Sequence, residues 1–81
     1  MITQLDAMIR RVLGDIVPDV DVTTLDPTTD IRDAADMDSV DFLNFVSALY
    51  DETGVDIPER HYPEVRTIEG CERYLTARLP A

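Results

Sequence analysis

The residues best placed to do chemistry lie together in the stretch Asp36 to Thr53, DMDSVDFLNFVSALYDET. Ser39 stands where a cluster of carboxylates, Asp33, Asp36, Asp38 and Asp41, meets the start of helical periodicity. A hydroxyl in the first turn of a helix faces unpaired backbone N–H groups and the positive end of the helix dipole. That position seats a phosphate ester attached to the side chain. On local grounds alone, a serine that only caps the helix is the simpler reading. Local sequence leaves both readings open.

Other chemistries have less support. His61 is the one histidine, far along the chain in a Tyr- and Pro-flanked segment, and no GxSxG elbow or Gly-rich oxyanion loop is present. A Ser-His-Asp hydrolase therefore lacks its parts. A calcium loop starting at Asp36 would want Gly where Asp41 stands and Glu where Ser47 stands. Cys71 falls on an apolar helical stripe, which predicts a buried, inert thiol.

Composition narrows the partners. The chain has 81 residues, 44% hydrophobic and 30% charged, enough for one small domain over 1–81 and too apolar to be disordered. No apolar run approaches the roughly 20 residues needed to cross a bilayer. Thr, Gln, Asp and two Arg in the first 17 residues argue against a signal peptide. A lone cysteine excludes an internal disulfide and fits a reducing cytoplasm. Seventeen Asp and Glu face seven Arg and no Lys, for a net charge of −10. Such a surface repels nucleic acid and anionic membrane and favours basic protein partners.

The elements that must position Ser39 are helical. Leu5, Ile9, Val12 and Ile16, with Met8 and Leu13 beside them, predict a first helix over about 3–16, opened by Thr3 and Asp6 and closed by Pro18. Arg10 and Arg11 fall on or beside its polar face. A long loop follows over about 17–37, with Val22, Leu25 and Ile31 as anchors and Asp26-Pro27-Thr28-Thr29-Asp30 as turn chemistry. A second helix over about 38–53 carries one row of Val40, Leu43, Val46 and Tyr50 and another of Phe42, Phe45 and Leu49. Seven apolar side chains in eleven residues predict contact with more than one neighbour. Gly54 suits the helix C-cap. A short helix is expected over about 59–62, stopped at Pro63, and a last one over about 67–79, capped by Thr67 and ended by Pro80. The result is an all-α fold, a small four-helix bundle of three main helices and one short one.

Taken together, Asp38-Ser39-Val40-Asp41, the preceding loop, the apolar helix and the exit through Asp56-Ile57-Pro58 resemble the acyl carrier protein family across essentially the whole chain. The resemblance implies a carrier with no catalytic activity. It implies that Ser39 bears 4′-phosphopantetheine, transferred from coenzyme A by a phosphopantetheinyl transferase. Acyl groups would ride on the arm as thioesters to acyl-transferring, condensing or modifying enzymes with basic docking patches, in fatty-acid, polyketide or another specialised biosynthetic pathway. Candidate recognition residues are Asp38, Val40, Asp41, Asp51 and Glu52. A freestanding, cytoplasmic monomer that neither binds nucleic acid nor inserts into membrane is expected. The alternative is an acidic helical interaction domain without a prosthetic group.

Three departures from the family pattern set further expectations. Asp36 stands where a glycine is common, and Asp tolerates left-handed backbone geometry. Asn44 and Tyr50 stand where fatty-acid carriers often have acids, which points toward a specialised pathway. Phe42 and Phe45, if directed inward, would fill the space in which an acyl chain can tuck, favouring short or polar cargo.

Overall fold

The computed structural model describes residues 3–79. Helix α1 spans Gln4–Ile16, the one-turn helix α2 Ile31–Ala34, α3 Ser39–Thr53 and α4 Ile68–Arg78. Tight 3₁₀ segments occupy Val22–Thr24 and Glu59–Val65. The described residues are helical with no strands, and α1, α3, α4 and the longer 3₁₀ segment form the expected small bundle.

Caps set the limits of the helices. Thr3 opens α1 by accepting from the Asp6 N–H at 3.0 Å, and its hydroxyl donates to Glu72 at 2.8 Å. Thr67 opens α4 by accepting from the Gly70 N–H at 2.8 Å. Gly54 closes α3 with φ of 72°, a left-handed conformation that costs glycine little. Pro80, expected to end the last helix, lies outside the described residues.

Helix α1 packs against both α3 and α4, and α4 also packs on the Glu59–Val65 segment. Ile9, Leu13, Phe45, Leu49, Ile68 and Leu75 are fully buried at the centre. Burying side chains of this size supplies about 1.5–3 kcal/mol each before entropy is counted.

Three expectations need correction. Arg10 is not on the polar face: it is buried, its Nε donates to Asp6 at 2.7 Å, and its Nη1 donates to the Val22 and Leu25 carbonyls at 2.6 and 2.9 Å. The segment 17–37 is not a plain loop, since it holds a 3₁₀ turn and α2. The short helix does not stop at Pro63 but runs through it to Val65, as 3₁₀ geometry. A ring that removes one N–H is cheaper to place in a short, loosely bonded 3₁₀ segment than inside an α-helix.

The 17–37 segment is held at several points. Ile31 is buried, Val22 and Leu25 lie partly buried against the core, and the Arg10 fork binds the carbonyls of the latter two. The Ile31 N–H donates to the Arg66 carbonyl at 2.8 Å and the Glu69 N–H to the Pro27 carbonyl at 2.9 Å. Asp30 caps α2 and forms an ion pair with Arg66 at 2.7 Å. Asp26 accepts from the Thr28 hydroxyl and N–H, which holds its carboxyl below the usual range. These bonds carry the chain from α1 across the bundle to the start of α3.

Candidate functional site

The start of α3 is built from reciprocal hydrogen bonds that leave one hydroxyl out. Asp38, not Ser39, is the N-cap: its Oδ1 accepts from the Asp41 N–H at 2.8 Å, and Asp41 Oδ2 accepts from the Asp38 N–H at 3.4 Å. The carboxylates therefore do the capping, and Asp41 also adds favourable negative charge to the first turn. Ser39 occupies the first helical position, exposed, with its hydroxyl free of capping duty. The capping alternative for Ser39 is thereby removed.

Two features position the turn before the serine. Asp36 adopts φ of 50°, the single non-glycine residue with positive φ among those described. It takes the left-handed conformation anticipated at this position. Met37 and Ala35 are buried on either side of it, so the chain must reverse sharply between two anchored side chains.

Around Ser39 the polar contacts are few. Arg32 Nη2 donates to Ser39 Oγ at 3.4 Å, and the Arg32 guanidinium lies over the Phe42 ring, 5.6 Å from its centroid. Arg32 did not stand out in the sequence. Its signal is that it is the one basic residue between Arg11 and Arg60, amid a run of acids.

Helix α3 turns a broad face to solvent. Val40, Leu43 and Tyr50 are 64%, 48% and 50% exposed, whereas Phe42, Phe45, Val46 and Leu49 are buried. The first of the two apolar rows is thus mostly outside the core, with only Val46 inward. Val40, Asn44 and Asp51 share this exposed side, together with Leu43, Ser47 and Tyr50. Asp51 and Glu52 lie about 20 Å along the helix from Ser39, and Glu52 is engaged by Arg11 at 2.9 Å. Asp38 and Asp41 lie beside the serine, within the cap.

The remaining candidates are structural. His61 Nδ1 pairs with the Tyr74 hydroxyl at 2.8 Å, and the rings meet edge to face. Cys71 is buried, its Sγ donating to the Val65 carbonyl at 3.3 Å, and burial pushes its thiol up to about 12. A thiol raised in this way favours the fold below its unfolded value near 9 and withdraws that support as pH rises toward 12. Among the described residues, no three His, Cys, Asp or Glu are grouped to hold a metal ion, and no helix is long and apolar enough to cross a membrane.

Fold and site together define a small helical module that presents one uncommitted hydroxyl at a helix start. Residues 3–75 match the family described as "Phosphopantetheine attachment site", and the chain belongs to this family. No curated protein matches the chain. Domains of the family carry covalently attached 4′-phosphopantetheine and are carriers, not enzymes. The residues present fit such a group: an exposed hydroxyl, the first turn of a fifteen-residue helix, and one arginine within reach.

Proposed function

We propose that Ser39 is the attachment point of the phosphopantetheine arm and that the exposed side of α3 is what partner enzymes read. The observation that carries this reading is the division of labour at the helix start, where Asp38 caps and the neighbouring hydroxyl is left over. In loading, Ser39 Oγ attacks a phosphorus of the coenzyme A pyrophosphate. The Oγ–P bond forms, the bond to the nucleotide phosphate breaks, the adenosine bisphosphate half leaves, and the hydroxyl proton passes to a base on the transferase. When bound, the arm supplies a thiol that holds acyl groups as thioesters.

Asp38 and Asp41 then serve twice, as cap and as negative charge toward a basic partner, while Val40 offers apolar contact beside the arm. Asp51 supplies charge at the other end of the helix, where the charge of Glu52 is paired with Arg11. Between them Leu43, Asn44, Ser47 and Tyr50 carry none. A docking face with charge at its ends and apolar contact in the middle suits partners other than housekeeping fatty-acid enzymes. We therefore assign the chain to a specialised acyl-transfer pathway in place of housekeeping fatty-acid synthesis.

The test is intact mass after incubation with coenzyme A and a broad-specificity phosphopantetheinyl transferase. Wild type should gain one phosphopantetheine and Ser39→Ala none. A folded wild-type domain that gains no mass would instead be a plain acidic interaction module.

The interior argues for cargo held in solvent. Phe45 is fully buried and Phe42 nearly so, with ring centroids 6.3 Å apart, and Tyr62 packs on Phe42 edge to face at 5.5 Å. The nearest groove, about 390 Å³ between Val46, Tyr50, Ile57 and Tyr62, is open to solvent. Loading a decanoyl group should leave the amide and methyl NMR shifts of Leu49 and Val65 as they are in the acetyl form. Large decanoyl-specific shifts there would mean that the aromatic cluster parts to admit the chain.

A further inference from the structure

Arg32 sits in a setting that its own chain does not explain. Three carboxylates, Asp33, Asp36 and Asp38, lie between it and Ser39 in sequence. Yet the ion pairs among the described residues use Arg10, Arg11, Arg66 and Arg73, and Arg32 joins none of them. Its guanidinium instead reaches the Ser39 hydroxyl at 3.4 Å and approaches the Phe42 ring to 5.6 Å from its centroid. The backbone beneath it is fixed: the Arg32 N–H donates to Asp30 at 2.9 Å and the Arg32 carbonyl accepts from the Met37 N–H at 3.0 Å. Phe42 is fixed in turn by Phe45 and Tyr62.

A neutral hydroxyl at that distance is a poor partner for a cation in an acidic neighbourhood. An anion attached to the same oxygen is a good one. Arginine suits the task because its planar fork can stack on an aromatic face while its N–H groups bind phosphate oxygens. The approach to the Phe42 ring, 5.6 Å from its centroid, favours side-chain positions near Ser39 beforehand, so less freedom is lost when the anion is bound. A phosphodiester on Ser39 would otherwise add negative charge beside Asp38 and Asp41, on a chain already at −10.

We infer that Arg32 is a binding residue for the phosphodiester on Ser39, clamping the root of the arm on the Phe42 side of α3. The inference rests on the assignment of Ser39 as the attachment point. Its consequence is that the arm leaves the protein in a set direction instead of pivoting freely at the serine. Arg32→Lys keeps the charge but loses the planar fork, so it should clamp less well than wild type.

The experiment uses wild type, Arg32→Gln and Arg32→Lys, each before and after loading with phosphopantetheine, with intact mass as the check on loading. Melting temperature and the ³¹P resonance of the phosphodiester are then recorded at low salt, and each loaded protein is compared with its own unloaded form. Any effect of Arg32 on the unmodified fold is thereby subtracted. Loading should raise the wild-type melting temperature by about 3 °C, the size expected for one partly exposed charge pair in a domain this small. The rise should vanish in Arg32→Gln and be partial in Arg32→Lys. The ³¹P resonance should move between wild type and Arg32→Gln, and the Arg32 side-chain N–H signals should shift on loading. Loaded wild type and Arg32→Gln with the same melting rise and the same ³¹P resonance would overturn the clamp while leaving Ser39 as the attachment point. A wild-type protein that takes up no phosphopantetheine would overturn both.

Discussion

Arg10→Ala is expected to cost the fold about 3–5 kcal/mol, the range for removing one member of a buried ion pair. A chain of this length has a total stability of about 4–12 kcal/mol, so the variant should sit near the edge of unfolding. The cost arises in two places. Asp6, with its side chain only 11% exposed, would be left as a buried carboxylate without its cation. The Val22 and Leu25 carbonyls would lose donors at 2.6 and 2.9 Å. Those carbonyls belong to the long connection that leads to α2 and Ser39, so the loss would loosen the approach to the site as well as the core.

Urea denaturation measures the effect as a fall in midpoint with the slope preserved. The double variant Asp6→Leu/Arg10→Met should recover much of the loss, because an apolar pair leaves no unpaired charge, although the two carbonyls remain unbonded. A cost below about 1 kcal/mol for Arg10→Ala would place the pair among ordinary surface salt bridges.

Gly70→Ala is the second large effect, and its sign is decided by competition. In a helix, exchanging glycine for alanine ordinarily stabilises by about 0.8–1 kcal/mol. Here the new Cβ would overlap the Glu64 carbonyl oxygen and lie 2.9 Å from the Thr67 hydroxyl oxygen. One obstacle is backbone and the other is the cap of α4, so neither can yield without moving the junction between the 3₁₀ segment and the helix. Forced overpacking costs about 1–3 kcal/mol and wins over propensity. The expected outcome is a lower melting temperature for Gly70→Ala, together with loss of hydrogen-exchange protection at the Gly70 and Cys71 amides. A rise in melting temperature would show that the junction can spread without penalty.

Both effects show which level of structure holds the site. The Ser39 turn makes few long-range contacts of its own. It is placed by anchors elsewhere: the Arg10 fork on the connection, the bonds from Ile31 to Arg66 and from Glu69 to Pro27, and the close approach at Gly70.

The sequence by itself determined the helical class, the caps at Thr3, Gly54 and Thr67, and the family likeness around Ser39. These are local matters. Caps bind across three or four residues, and apolar spacing repeats with the turn of the helix, so neighbouring residues contain the information. Asp36 was legible only through the family likeness, which places a glycine there, together with the tolerance of Asp for left-handed geometry.

Tertiary structure alone decided the rest. Arg10 reads as a surface residue until carbonyls 12 and 15 positions away close on it. Leu43 and Tyr50 look like core by spacing, yet α1 packs on the opposite side of α3 and leaves them exposed. Gly70 has no unusual dihedral to betray it, only a carbonyl from another segment lying against it. Arg32 gains its meaning only when α2 swings its side chain back toward Ser39 and Phe42. In each case the deciding partner belongs to a different element of structure, and periodicity along one helix says nothing about what the fold brings to meet it.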